Sequence, residues 1–433
     1  RGISYEPSRA EAMAAIASQM AIVGEVKEAL AVARGISYEP SRAEALAAIA
    51  SQLSGTEQTA VLQEALAIAR GISYEPSRAN ALAAIAAQLS GTEQTAVLQE
   101  ALAIARGISN EEYRARAMAA IAAQMAIVGE VKEALAIARW IDDEYYRAPA
   151  MAAIAAQLSG TEQTAVLQEA LAIAREIDDE YYRANAMAAI AAQLSGTEQT
   201  VLLQEALAIA REIDDEYYRA NAMAAIAAQL SGIEQTVLLQ EALAIARGIR
   251  DEYYRANAMA AIAAQLSGTE QTAVLQEALA VARGISNEEY RARAMAAIAS
   301  QLSGIEQTAV LQEALAIARW ISNEGYRAHA MAAIASQMAI VGEVKEALAI
   351  ARWISNEGYR AKAMAAIATQ LIKMLQADLY PLWRSTLEVL AKRIRKDLLS
   401  DLSSLSPVIV KLGGKQALME TYNAIKDVSR WWP

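Results

Sequence analysis

Residues 175–211 read REIDDEYYRANAMAAIAAQLSGTEQTVLLQEALAIAR, and this stretch decides the fold. It holds two Ala-rich segments, and Ala is the strongest helix former. The first, helix A, is expected over residues 180–194 and to end at Gly196. An upstream Asp caps it, and Glu180 suits the positive end of the helix dipole. The second, helix B, is expected over 197–211, closing on Arg211 where the dipole favours a cation. In helix A, Met187, Ile190, Ala191 and Leu194 fall at i, i+3, i+4 and i+7, one apolar stripe. In helix B, Leu202, Ala206 and Ile209 share that spacing, and Leu203, Leu207 and Ala210 repeat it one position round. An isolated pair cannot bury both faces; stacking copies side by side can.

Copies are present. The motif Arg-x-Ile-x-x-Glu-x-x-Arg-Ala begins at Arg1, Arg34, Arg70, Arg106, Arg139, Arg175, Arg211, Arg247, Arg283, Arg319 and Arg352, in steps of 33 or 36 residues. That makes ten full repeats and an eleventh half repeat. A fixed period in this range marks a helical solenoid. The expected fold is all-α, a right-handed αα-solenoid over residues 1–371. The repeats starting at Arg1, Arg106 and Arg319 are three residues shorter and carry AIVGEVKEALAIAR, with Val32 for the last Ile in the first of them and with Gly24, Gly129 and Gly342 at the turn. The shortening is expected to move the A–B turn and remove about one turn of helix B. The early Pro7, Pro40 and Pro76 suit the first turn of helix A.

Residues 372–433 leave the pattern. Helices are expected over 381–394, 396–405 and 415–431, broken at Ser406-Pro407 and Gly413-Gly414. Leu382, Trp383, Trp431 and Trp432 would cover the last repeat as a cap. At the other end, Arg1 falls mid-repeat, which suggests a longer parent or an engineered truncation.

Composition excludes several functions. There is no Cys and one His, His329, which removes thiolate sites, multi-His metal sites and His triads. There is no Phe, consistent with one Phe-free segment copied many times. The net charge is -11, and residues 372–433 carry ten Lys plus Arg against six Asp plus Glu, so residues 1–371 are strongly acidic. Such an array repels phosphate, so no nucleic-acid partner is expected, and a base-per-repeat RNA reader is disfavoured. No apolar run approaches the roughly 20 residues that span a bilayer, so no membrane association and a cytoplasmic location are expected. Asp142-Asp143-Glu144 lacks the spaced oxygens and Gly of a calcium loop. Gly413-Gly414-Lys415 fails the phosphate-loop pattern. No metal, cofactor or catalytic constellation is expected.

Function is sought where the copies differ. Two positions past the second Arg stand Glu44, Asn80, Arg116, Pro149, Asn185, Asn221, Asn257, Arg293, His329 and Lys362. Four residues earlier stand Glu112, Tyr145, Tyr181, Tyr217, Tyr253 and Glu289. Both sites fall on one face of helix A, so stacked copies make a variable ribbon over a constant core. The candidate protein-binding residues are Arg116, Tyr145, Tyr181, Asn185, Tyr217, Asn221, Tyr253, Asn257, Arg293, His329 and Lys362. Asn amides could hold an extended peptide backbone while Tyr faces supply apolar area. Drift at a solvated site would look similar. The position after the first Arg holds Trp140, Trp320 and Trp353. The second Tyr of each pair (Tyr182, Tyr218, Tyr254) and Tyr113 are read as lying near the core. The constant Glu180 and Arg183 are read as an i,i+3 ion pair or a brace between repeats.

The pattern ALAIAR-x-I-x-x-E-x-x-RA-x-AMAAIA-x-QL resembles tetratricopeptide-like repeats of bacterial, often cyanobacterial, multidomain proteins. The ending from LWRSTLEVLAKRIRKDLLSDL to DVSRWWP resembles their C-terminal cap. This resemblance implies a tetratricopeptide-like superhelix that follows a STAND-type nucleotide switch related to NACHT ATPases. It further implies a non-enzymatic sensor or scaffold arm whose partner is a protein or peptide. A purely structural or engineered array is the other expectation.

Overall fold

The computed structural model describes residues 26–392 and 395–431, with Ala14, Ala17, Ser18, Ala21 and Ile22. Most of the repeat that starts at Arg1, with Pro7 and Gly24, lies outside the described residues. Among the described residues every regular element is an α-helix. The chain forms an all-α solenoid that divides into two compact units, Ala69–Val281, and Arg1–Ile68 together with Ala282–Pro433.

In the Ala69–Val281 unit, a 12-residue helix A such as Glu180–Ala191 alternates with a 17-residue helix B such as Gly196–Glu212. Glu180–Ala191 packs on its own helix B and on the A helices of both neighbours, Glu144–Ala155 and Glu216–Ala227. This is the side-by-side stacking that the apolar stripes demand. Met187, Ile190 and Ala191 are at most 1% exposed, and Leu202, Leu203, Ala206 and Ala210 are buried with them. Leu194, Leu207 and Ile209 are only half-buried. Ala184, Ala186 and Ala188 are buried too, because small side chains let neighbouring helices approach closely.

The turn differs from expectation. Helix A stops at Ala191, where Gln193 N–H donates to Ile190 O and Leu194 N–H to Ala191 O, both at 3.0 Å. These three-residue steps tighten the last turn and satisfy its carbonyls. Gly196 does not end helix A; it opens helix B at φ 63°, a region that side-chain-bearing residues avoid.

The short repeats solve the turn in another way. There helix A runs Glu111–Ile127 (17 residues) and helix B Val131–Arg139 (9 residues). Helix B thus loses about two turns rather than one, and helix A grows. Gly129, at φ 91°, closes a Schellman motif: Glu130 N–H donates to Met125 O at 2.9 Å and Gly129 N–H to Ala126 O at 3.1 Å. In the other unit, Glu324–Ile340 and Val344–Ala351 repeat this arrangement around Gly342.

From Arg78 to Arg360, the second Arg of the motif also reaches backwards in each repeat. Arg183 Nη1 donates to the Ile177 carbonyl at 2.8 Å, and Arg219 to Ile213 at 2.6 Å, which satisfies a carbonyl past the end of the preceding helix B. The expected i,i+3 pair exists as well, with Arg183 3.4 Å from Glu180 and Arg147 2.9 Å from Glu144.

The C-terminal helices are Gln376–Leu390, Arg395–Ser404 and Ser406–Trp431. The first starts earlier than expected and contains Pro381, because its first turns bury Leu379. The last begins at Ser406 rather than 415, and Gly413-Gly414 is a kink inside it, with Gly414 at φ 62°, ψ -157°. Leu382 is buried and Trp383 half-buried; the side chain of Trp431 and all of Trp432 lie outside the described residues. Arg360 and Asp401, 1% and 0% exposed, pair at 2.7 Å and join the helix Glu357–Leu371 to Arg395–Ser404.

Candidate functional site

The ribbon forms at the start of helix A because that turn is fixed by caps. In the Ala69–Val281 unit, Asp143 accepts the Tyr145 N–H at 2.8 Å and Asp179 accepts that of Tyr182 at 3.1 Å. Asp215 and Asp251 each accept two tyrosine N–H groups at 2.9 and 3.1 Å. One carboxylate per repeat therefore sits at the foot of a Tyr-Tyr pair.

The pairs join into one ladder. Ring centroids step from Tyr146 to Tyr145 (4.8 Å), Tyr182 (4.6 Å), Tyr181 (5.3 Å), Tyr218 (5.0 Å), Tyr217 (5.5 Å), Tyr254 (4.9 Å) and Tyr253 (5.6 Å). The contacts are edge-on or tilted, as aromatic quadrupoles prefer. Sequence reasoning placed Tyr182, Tyr218 and Tyr254 near the core. They are instead the more exposed members, at 43%, 47% and 47%, while Tyr181, Tyr217 and Tyr253 are half-buried. The recurring Tyr-Tyr doublet was the signal that could have shown this. Burial pushes the Tyr181 hydroxyl above its ordinary value, with the Asn185 hydrogen bond acting the other way.

Asn185, Asn221 and Asn257 are half-buried on the same face. Asn185 Nδ2 donates to Tyr181 O at 2.8 Å, inside its own helix, so one donor of the amide is already used. Pro149 takes the equivalent place within Glu144–Ala155. Before the ladder, Arg116 is exposed, and Tyr146 lies with its hydroxyl 3.5 Å from Glu112 Oε1. Burial, then the Glu112 charge, raise the Tyr146 hydroxyl.

Arg293, His329 and Lys362 belong to the other unit. Arg293 pairs with the buried Glu289 at 3.5 Å. The His329 ring lies 4.9 Å from that of Tyr359, and Lys362 Nζ is 5.9 Å from the same Tyr359 ring. Burial, then the Arg293 charge, hold His329 below its ordinary value. Among the described residues no group of three or more His, Asp or Glu could hold a metal, and no helix is long and apolar enough to cross a membrane.

The helix B side carries a feature that sequence reasoning missed. Within the Ala69–Val281 unit, Arg175 pairs with Glu205, Arg211 with Glu241 and Arg247 with Glu277, at 2.6 to 2.7 Å, always 30 residues apart. Where the next repeat is short, the equivalent glutamate stands three residues nearer in sequence, as Glu133 does to Arg106. Arg106 there lies over the Trp140 ring instead, 5.6 Å from its centroid. In the other unit the corresponding place is an open cleft of about 680 Å³ lined by Arg319, Glu346 and Trp353, which is 82% exposed.

No protein-family profile matches the chain, and no curated protein matches it. Among solved structures, Ton1535 from Thermococcus onnurineus NA1 is similar at 17% identity and a TM-score of 0.31, over 81% of this chain and 97% of that one. A circular tandem repeat protein with novel repeat topology is similar at 13% identity and a TM-score of 0.20, over 97% and 100%. Superpositions this loose carry no role across to the present chain.

Proposed function

We propose that the chain is a non-enzymatic scaffold that binds a protein or peptide along the helix A ribbon. The single observation that carries this is the ladder of partly exposed tyrosines: large rigid rings kept in solvent, in register, on four successive repeats. Ring area left partly in solvent is surface that a partner can cover, and Tyr is among the residues that interface hot spots favour. The resemblance to repeats that follow STAND-type switches supports a role as the sensor arm of a larger cytoplasmic bacterial protein. In the test, peptides are selected from a random display library on the full chain and assayed against the triple variant Tyr182→Ala, Tyr218→Ala, Tyr254→Ala. Loss of binding by a variant that keeps its helical fold is expected. Undiminished binding would place the binding face elsewhere.

One observation favours a second reading. Residues 180–191, 216–227 and 252–263 are identical, EYYRANAMAAIA, as they would be in an array copied or designed for structure alone. In that case the selection yields no peptide that depends on the ribbon.

A further inference from the structure

The geometry points to a ligand class: we propose that the ladder recognises a basic, proline-rich peptide in the polyproline II conformation, one turn of peptide per repeat. This rests on the ribbon being the binding face and adds what it takes.

The argument begins with spacing. Two ring contacts, of 5.0 and 5.5 Å, carry the ladder from Tyr181 to the equivalent Tyr217, and the next two, of 4.9 and 5.6 Å, from Tyr217 to Tyr253. Packed helix axes lie about 8–10 Å apart, so each repeat advances by roughly that distance. A polyproline II helix rises about 3.1 Å per residue with three residues per turn. It therefore presents the same face about every 9 Å, in step with the repeats. A β-strand returns to the same face every two residues, about 6.6 Å, and would meet equivalent rings with alternating faces.

Hydrogen bonding agrees. Proline has no N–H, so a proline-rich ligand brings few backbone donors that need partners. The ribbon presents ring faces, and at Asn185 one amide donor is already bonded within its helix.

Charge selects the remaining residue. Residues 141–255 contain nineteen Asp plus Glu, eight Arg and no Lys. The capping carboxylates Asp143, Asp179, Asp215 and Asp251 supply one negative charge per repeat beside the rings. A ligand with one cation every third residue complements that row.

The experiment is calorimetry of the full chain with Ac-(Pro-Pro-Arg)4-NH2 and with the equally charged Ac-(Gly-Gly-Arg)4-NH2. The proline peptide is expected to bind at least about tenfold tighter, roughly the effect of one good aromatic contact. Tyr182→Ala, Tyr218→Ala, Tyr254→Ala should remove that advantage, whereas the matching Tyr→Phe triple, which keeps the ring faces, should retain it. Equal binding of both peptides, or an advantage that survives the Ala triple, overturns the proposal. Should the Ala triple not fold, the comparison of the two peptides decides alone. Display-selected peptides that need the tyrosines but lack proline would sink the polyproline reading and leave the ribbon standing. Selection of peptides that ignore the tyrosines would sink both.

Discussion

Gly196 and Gly248 stand a repeat and a half apart and do different work. Gly196 opens helix B at positive φ with open space around its Cα, so a methyl there meets no atom and suffers only backbone strain. Gly196→Ala is expected to cost about 1–2 kcal/mol in urea denaturation. Gly248, last residue of Gly232–Gly248, has ordinary φ and equal space, so Gly248→Ala should be neutral or stabilising. Equal effects at the two sites would contradict this. Asp401 gives the larger expectation: Asp401→Ala strands the buried Arg360 guanidinium and should cost about 3–5 kcal/mol. Single residues were the hardest scale to read from sequence. Apolar spacing marked Met187 and Ile190 as core, but adjacent tyrosines differ by only 100° around the helix. Which ring turns outward depends on the neighbouring repeat, so Tyr182 was assigned to the core side although it is the more exposed of the two.

The helices were legible because two periodicities agreed, the heptad-like stripe within a helix and the 33- or 36-residue step between copies. Their ends were not, since a three-residue deletion can be absorbed by either helix. The Schellman turn at Gly129 settled it by lengthening helix A. The Arg–Glu rungs were missed for a related reason: pairs were sought only for the Glu and Arg of helix A, and these join B helices 30 residues apart. Arg175, Arg211 and Arg247 hold the carboxyls of Glu205, Glu241 and Glu277 below the usual range, mainly through direct hydrogen bonds. The native values are lowered, so the stability they contribute is complete above the unfolded carboxylate value, about 4.3. It disappears as pH falls through the lowered native values. Glu205→Gln, Glu241→Gln should therefore flatten the stability–pH curve in that acid window. At neutral pH each rung is worth only about 0.5 kcal/mol, because both partners are partly exposed. An unchanged acid slope in the double variant would show the rungs to be idle.

For the molecule as a whole, charge is the property that sequence states best and structure refines. The acidic balance of the repeats argued against phosphate backbones, and the caps then placed part of that charge in a row beside the tyrosines. Binding of a cationic peptide at the ribbon should weaken by several-fold between 50 and 300 mM salt, as exposed charge pairs are screened over about 10 Å or less; salt-independent binding would remove the capping carboxylates from recognition. The identity of the ligand was not legible, because repeats under one packing constraint record the core in every copy and the partner only in the few positions that vary. The most direct test places the photo-crosslinker p-benzoylphenylalanine at Tyr218 on the ribbon or at Ala208, an exposed position on helix B, and adds a display-selected peptide. Crosslinking from position 218 and none from 208 is the expected result; crosslinking from 208 alone would contradict the assignment of helix A as the binding face.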